Sequence, residues 1–306
     1  MSLIRKHLLG LEGVEKDELN HIIQTATSFK EVLSRPFPKV PTLRGKTIVN
    51  LFFEASTRTR FSFELAEKRL SADTLNFSVS ASAVKKGESL RDTAQNIEAM
   101  KVDMVVIRHA AAGAPHFLAN CIKGSVINAG DGCHEHPTQA LLDMMTLLEK
   151  FGDLQGLRVA IIGDVLHSRV ARSNVYGLTK MGAEVALCGP SPLIPIRADQ
   201  WPVKIMNNVD DAIFWADVLM VLRIQMERQQ ANFFPSLREY HNYFGITVDR
   251  LNRARKTLTI MHPGPINRGI ELDSELADSE HSLILDQVTN GVAVRMAVLY
   301  LLSGEK

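Results

Sequence analysis

The feature that most constrains this chain is an alternation of short apolar runs with longer helix-patterned stretches, set out in two series. Thr47–Phe53, Asp103–Arg108 and Leu157–Gly163 are short, continuous apolar runs, the form taken by strands buried on both faces. The stretches between them carry helix signals. Glu64 and Lys68 are spaced i,i+4, Pro137 sits where a first helical residue would be, and Gly152 follows the last turn of Thr138–Phe151. Strand–helix alternation of this kind implies parallel sheets flanked by helices. The first series reads as strand Thr47–Phe53, helix Arg58–Leu70, strand Leu75–Ser78, helix Glu88–Met100, strands Asp103–Arg108 and Ser125–Ala129, then the long helix after Pro137. The second reads as strand Leu157–Gly163, helix Val170–Met181, strand Glu184–Leu187, short helix Asp210–Trp215, strands Val218–Arg223 and Leu258–Met261, and a closing helix Val292–Leu302. Pro190–Asn208 reads as irregular surface connection, and Arg228–Thr247 as a long loop suited to movement.

The expected fold class is therefore α/β, with two doubly wound parallel-sheet domains linked by helices and an active site in the cleft between them. Residues 1–136 form the first domain, completed by a C-terminal helix over 291–306, and residues 137–290 form the second. A length of 306 residues with 45% hydrophobic content supports cores of that size. Lys+Arg total 35 against Asp+Glu 34, so the net charge of +1 suggests neither a nucleic-acid surface nor an anionic membrane partner. Three well-separated cysteines, Cys121, Cys133 and Cys188, suit free thiols in a reducing compartment. The polar N-terminus lacks a signal-peptide core, and no apolar stretch reaches the ~20 residues of a membrane span. A cytoplasmic location is expected.

Ligands of open parallel sheets bind beyond the carboxyl ends of the strands, and here those ends are rich in anion-binding and turn-forming groups. After Phe53 comes Ser56-Thr57-Arg58-Thr59-Arg60, three hydroxyls and two guanidiniums at a helix start. The unpaired N–H groups and positive dipole end of a first helical turn suit a phosphate, although a capped helix with solvent-facing arginines is the alternative. Arg108 and Arg223 each close an apolar strand, so each must reach the site or find an internal ion pair. Gly130–Gln139 follows the fourth strand. Asp164 and His167-Ser168-Arg169 follow the fifth, and His262-Pro263-Gly264-Pro265 follows the last. The run Cys133-His134-Glu135-His136 lacks the spacing of common zinc sites, and no other cysteine or histidine completes a set, so no metal and no cofactor is expected. His136, before a helix-starting proline, is better placed to donate to a carbonyl oxygen. The Walker and G-x-G-x-x-G fingerprints are both absent.

Phe52-Phe53-Glu54-Ala55-Ser56-Thr57-Arg58-Thr59-Arg60 with His136-Pro137-Thr138-Gln139 resembles the carbamoyltransferase family. Lys85-Lys86-Gly87-Glu88-Ser89, His167–Ala171, Arg223-Ile224-Gln225 and His262–Pro265 resemble its aspartate branch, and the ornithine branch's His-Cys-Leu-Pro and Ser-Met-Gly motifs are missing. The resemblance implies transfer of a carbamoyl group from carbamoyl phosphate to L-aspartate, the committed step of de novo pyrimidine (UMP) biosynthesis. It assigns Ser56, Thr57, Arg58 and Thr59 to the phosphate, Thr59, Arg108 and His136 to the carbonyl oxygen, and Gln139, Gly264 and Pro265 to the rest of carbamoyl phosphate. Arg58, Thr59, Arg108 and His136 become the catalytic set. Lys86, Arg169, Arg223 and Gln225 fall to aspartate. Arg169 and Arg223 also fit a dicarboxylate on charge alone, because a guanidinium pairs bidentately with a carboxylate. The resemblance further implies that Ser82 and Lys86 reach a neighbouring subunit's site, which makes the enzyme a homotrimer. The Pro263-Gly264-Pro265 form is similar to relatives that act as simple trimers or beside a dihydroorotase, so association with a regulatory chain or a dihydroorotase stays open.

Overall fold

In the computed structural model, which describes residues 5–78, 89–224, 236–254 and 257–304, the apolar runs form nine strands in two sheets. The chain opens with α1 (Lys16–Leu33), closed at its start by a reciprocal Glu15/Glu18 capping box. It continues through β1 (Thr47–Phe52), α2 (Thr57–Arg69), β2 (Asp73–Ser78), α3 (Leu90–Ala99), β3 (Met104–His109), α4 (Ala114–Ala119), β4 (Ser125–Asp131) and α5 (Pro137–Phe151). The second series is β5 (Arg158–Ile162), α6 (Arg169–Lys180), β6 (Glu184–Cys188), β7 (Val203–Met206), α7 (Val209–Trp215), β8 (Val218–Val221), α8 (Leu237–Phe244), α9 (Val248–Ala254), β9 (Thr259–Met261), α10 (Ser274–Ala277) and α11 (Ile284–Leu302).

The chain divides into two compact units, residues 1–142 with 289–306 and residues 143–288, so both divisions fall inside helices, α5 and α11. In the first unit the sheet order is β2-β1-β3-β4, and in the second β7-β6-β5-β8-β9. Every pairing is parallel. Each sheet therefore has a switch point, where successive connections leave in opposite directions. It lies between β1 and β3 in the first unit and between β5 and β8 in the second. The two cores are built the same way. Val49, Leu51, Val105, Ile107 and Val126 pack with Ile97 and Leu118 in one. Ala160, Ile162, Leu219, Val221 and Ile260 pack with Ile213 and Leu276 in the other.

Two stretches read as connection or loop carry regular structure. Pro190–Asn208 is not wholly irregular, because Val203–Met206 pairs in register with Val185–Cys188 as the edge strand β7. Its lysine and half-exposed side chains hide the strand from an apolar-run search, as edge positions commonly do. Within Arg228–Thr247, residues 236–244 are not loop. Ser236 caps α8 by accepting the Glu239 amide at 3.1 Å, and Tyr240 is buried. Residues 225–235 lie outside the described residues. Among the described residues, no helix is long and apolar enough to cross a membrane.

Candidate active site

At the first switch point, β1 and β3 run side by side with Phe52 opposite Arg108. Ser56 is the N-cap of α2, extended at φ −160°, and Thr57, Arg58 and Thr59 occupy its first turn. Ser89, Ser168 and Ser236 each accept a backbone N–H to cap their helices, whereas the Ser56 hydroxyl makes no capping bond. No acidic residue stands in the first turn of α2 to compete for its amide donors. Thr57 and Arg58 are exposed and Thr59 is buried. A helix start with no acidic residue, three hydroxyls and a guanidinium is chemically a cradle for a phosphate dianion.

Arg108 is 9% exposed, and its guanidinium donates to Glu54 Oε1 at 3.0 Å and to the Ala129 carbonyl at 3.1 Å. The internal ion pair left open by the sequence therefore exists, and it sets the plane of the guanidinium at the end of β3. The bulge between Ile107 and His109 in the β3–β4 ladder marks the same edge. Burial lowers the pKa of His109, against the pull of the Ala111 amide and nearby carboxylates.

His136 is buried, at the foot of a turn that two carboxylates hold in place. Asp131 accepts the Gly113 amide at 2.7 Å, Asn128 Nδ2 at 2.8 Å and the Glu135 amide at 3.1 Å, with His134 Nδ1 also at 3.1 Å. Burial opposes the charge on Asp131, but the bonds from His134, Gly113 and Asn128 outweigh it and hold the acid below its usual range. Glu135 reaches the other way and accepts the Leu11 amide at 2.7 Å. A Cβ at Gly10 would press on that carboxylate and force it to shift. The carbonyl of His136 accepts from the Gln139 amide at 3.0 Å and starts α5, with Thr138 and Gln139 buried beside it.

The second switch point repeats the plan with different chemistry. After β5, Gly163 adopts φ 130°, and a Cβ there would press on Leu222 and the Tyr240 hydroxyl. Asp164 accepts the His167 amide at 3.2 Å and lies 2.9 Å from His167 Nδ1, and Ser168 caps α6 by accepting the Ala171 amide. Arg169, the first residue of α6, is 3% exposed. β8 ends at Val221, so Arg223 lies two residues beyond the strand, half-buried, where the sequence reading placed it inside. After β9, His262 Nδ1 accepts the Gly264 amide at 2.8 Å, while its Nε2 lies 3.3 Å from Glu271 Oε1. Glu271 also accepts the Asn267 amide at 2.5 Å, and Asn267 donates to the Ile224 carbonyl at 3.1 Å. That chain of bonds ties the turn carrying Gly264 and Pro265 to the turn carrying Arg223. Further back, Gln287 accepts the His262 amide and donates to Asp143, which also accepts from Asn174.

Residues 6–149 match the carbamoyl-P binding domain of the aspartate/ornithine carbamoyltransferase family, and residues 155–302 match its Asp/Orn binding domain. The chain belongs to the aspartate/ornithine carbamoyltransferase family. It is 62% identical over 301 residues to the aspartate carbamoyltransferase catalytic subunit of Gemmatimonas aurantiaca, covering 98% of this chain and 94% of that one. It is 60% identical to the subunit of that name from Cytophaga hutchinsonii, covering 98% of both. Among solved structures it is similar to ornithine carbamoyltransferase from Pyrococcus furiosus, with a TM-score of 0.89, 29% identity and 100% of both chains covered. It is also similar to aspartate transcarbamoylase from Trypanosoma cruzi in complex with N-(phosphonacetyl)-L-aspartic acid, at TM-score 0.86 and 28% identity over 96% of this chain and 94% of that one.

Within this carbamoyltransferase, the first unit gathers Ser56, Thr57, Arg58, Thr59 and Arg108 at one switch point and sets His136 and Gln139 at the head of α5. The second unit places Arg169 and Arg223 at the other, with Gly264 and Pro265 beyond β9. Ser82, Lys86 and Gln225 lie outside the described residues. The supporting carboxylates Glu54, Asp131, Glu135 and Glu271 were not singled out from the sequence. Glu54 and Glu135 stand inside recognised runs, and Asp131 follows a strand, but Glu271 has no local signal. Folding brings His116 from α4 beside His134 and Asp131, with one ligand atom from each within 4.8 Å of the others.

Proposed function

We propose that this chain transfers the carbamoyl group of carbamoyl phosphate to L-aspartate, giving N-carbamoyl-L-aspartate and phosphate, the committed step of de novo pyrimidine synthesis. The observation that carries the reading is the pairing of two switch points with complementary chemistry. One offers a helix start with an uncommitted serine hydroxyl beside Arg108. The other offers two guanidiniums on the turns after neighbouring strands β5 and β8. The first suits a phosphate joined to a carbonyl, and the second suits an acceptor with two carboxylates rather than the amine-bearing side chain of ornithine.

The chemistry needs only what these residues supply. The neutral amine of aspartate attacks the carbonyl carbon, the carbonyl oxygen gains charge, and the C–O bond to phosphate then breaks while the nitrogen passes a proton to the departing phosphate. Arg108, Thr59 and His136 donate to the developing oxyanion, a role in which each donor is worth ~10²–10³ in rate. Ser56, Thr57, Arg58 and Thr59 hold the leaving phosphate. Gln139 takes the carbamoyl amide, and the backbone carbonyls around Gly264 and Pro265 accept from the amines of both substrates. Arg169, Arg223 and Gln225 bind the carboxylates. Holding two substrates in line contributes up to ~7–11 kcal/mol.

The proposal includes a homotrimer in which Ser82 and Lys86 of one copy serve the site of the next. Phe61 and Leu65, one turn apart on α2, and Leu75 on the edge strand β2 are exposed apolar groups that a second copy would cover, in support of assembly through this edge. Mixing Arg58→Ala with Lys86→Ala chains tests it: hybrids recover part of the activity, and none at all would refute the sharing. Free thiols at Cys121, Cys133 and Cys188 suit the cytosol proposed for the enzyme. The reaction itself is tested by phosphate release from carbamoyl phosphate with and without aspartate.

A further inference from the structure

We propose that His116 and His134 bind one divalent transition-metal ion, with Asp131 fixing the imidazole of His134. His116 is exposed on α4, His134 is half-buried in the turn after β4, and Asp131 is buried beneath them. The two rings meet edge to face with centroids 5.6 Å apart. Two imidazoles on one tetrahedral ion, at bonds of ~2.0–2.1 Å, place their centroids roughly 5 Å apart, so small ring rotations suffice. Asp131 lies 3.1 Å from His134 Nδ1 and is itself anchored by the Gly113, Asn128 and Glu135 donors. A carboxylate at one imidazole nitrogen directs the other toward metal and raises its basicity. Imidazole donors favour Zn²⁺, Co²⁺, Ni²⁺ or Cu²⁺ over Mg²⁺ or Ca²⁺. A bound ion would link α4 to the turn that leads to His136.

The site shares the turn that leads to His136, but none of its residues is among those assigned to catalysis or substrate binding. Equilibrium dialysis of the full chain against Zn²⁺ at neutral pH measures it, with Co²⁺ absorption reporting tetrahedral nitrogen coordination. The wild type is expected to retain one ion per chain, competed by Ni²⁺ and not by Mg²⁺. His116→Ala should lose at least tenfold in affinity while keeping metal-free turnover, which shows that the fold is intact. His134→Asn should lose a similar amount, and Asp131→Asn ~10–100-fold. Wild-type affinity in His116→Ala would place the ion on other histidines and overturn the proposal, as would a wild type that retains no Zn²⁺.

Discussion

The two switch points share a plan and differ in where they hold their charged groups. At the first, Arg108 is fixed by Glu54 and the Ala129 carbonyl, and the turn to His136 is pinned on both sides by Asp131 and Glu135. At the second, Arg223 lies two residues beyond the end of β8, and the Asn267 side-chain amide donates to the carbonyl of the next residue, Ile224. The difference follows the chemistry proposed for each. Donors to an oxyanion must be in place before charge develops, whereas carboxylate clamps need only close on a substrate that arrives with its charges already formed. Mutations should therefore affect kcat at the first switch point and the aspartate requirement at the second.

The largest effect is expected from Arg58→Ala. Its side chain is exposed, so the fold should survive while turnover drops by at least ~10²–10³-fold. Steady-state rates alongside a circular-dichroism melt check this, and a near-normal rate would break the phosphate assignment. Arg223→Ala should come next, raising the KM for aspartate ~10–100-fold with little change in that for carbamoyl phosphate. Equal effects on both would mean that Arg223 is structural. Glu135→Gln should be milder, lowering kcat several-fold and stability by about 1–2 kcal/mol, because a charged acceptor of the Leu11 amide becomes neutral. Denaturant melts paired with kinetics would separate the two effects.

The smallest expected effect concerns pH and the body of α2. Burial pushes Glu67 up to about 8, against the hydrogen bond that Asn50 donates to it. A folded pKa above the unfolded 4.5 means that the native state binds the extra proton between those values, so this group's contribution is complete below 4.5 and is lost as pH rises toward 8. Glu67→Gln keeps an acceptor for Asn50 and has no proton to lose. The wild-type Tm should fall more steeply than the variant's between about pH 5 and pH 8, and parallel curves would refute the assignment.

Much of this was legible in the chain because buried parallel strands are continuous apolar runs, and their ends are where polar residues must reappear. β1, β3, β5 and β8 were found that way, as was the helix start at Pro137. The sequence reading began at Thr47 and so left out α1, although Leu19, Ile22, Ile23, Ala26 and Phe29 carry a plain helical spacing. β7 escaped because an edge strand carries lysine and half-exposed residues. The supporting carboxylates escaped for a different reason. The contact between Glu135 and Leu11 spans 124 residues, and that between His116 and His134 joins two elements, so no local pattern announces either. Charge type could be read at the strand ends, whereas the partners that orient those charges could not.

The account turns on which amine the second switch point accepts. Phosphate release from carbamoyl phosphate should be measured with L-aspartate and with L-ornithine in turn. Release that depends on aspartate, with N-carbamoyl-L-aspartate formed in equal amount and no turnover of ornithine, is the predicted result. Turnover of ornithine without turnover of aspartate would contradict the reading of Arg169 and Arg223 as a dicarboxylate clamp.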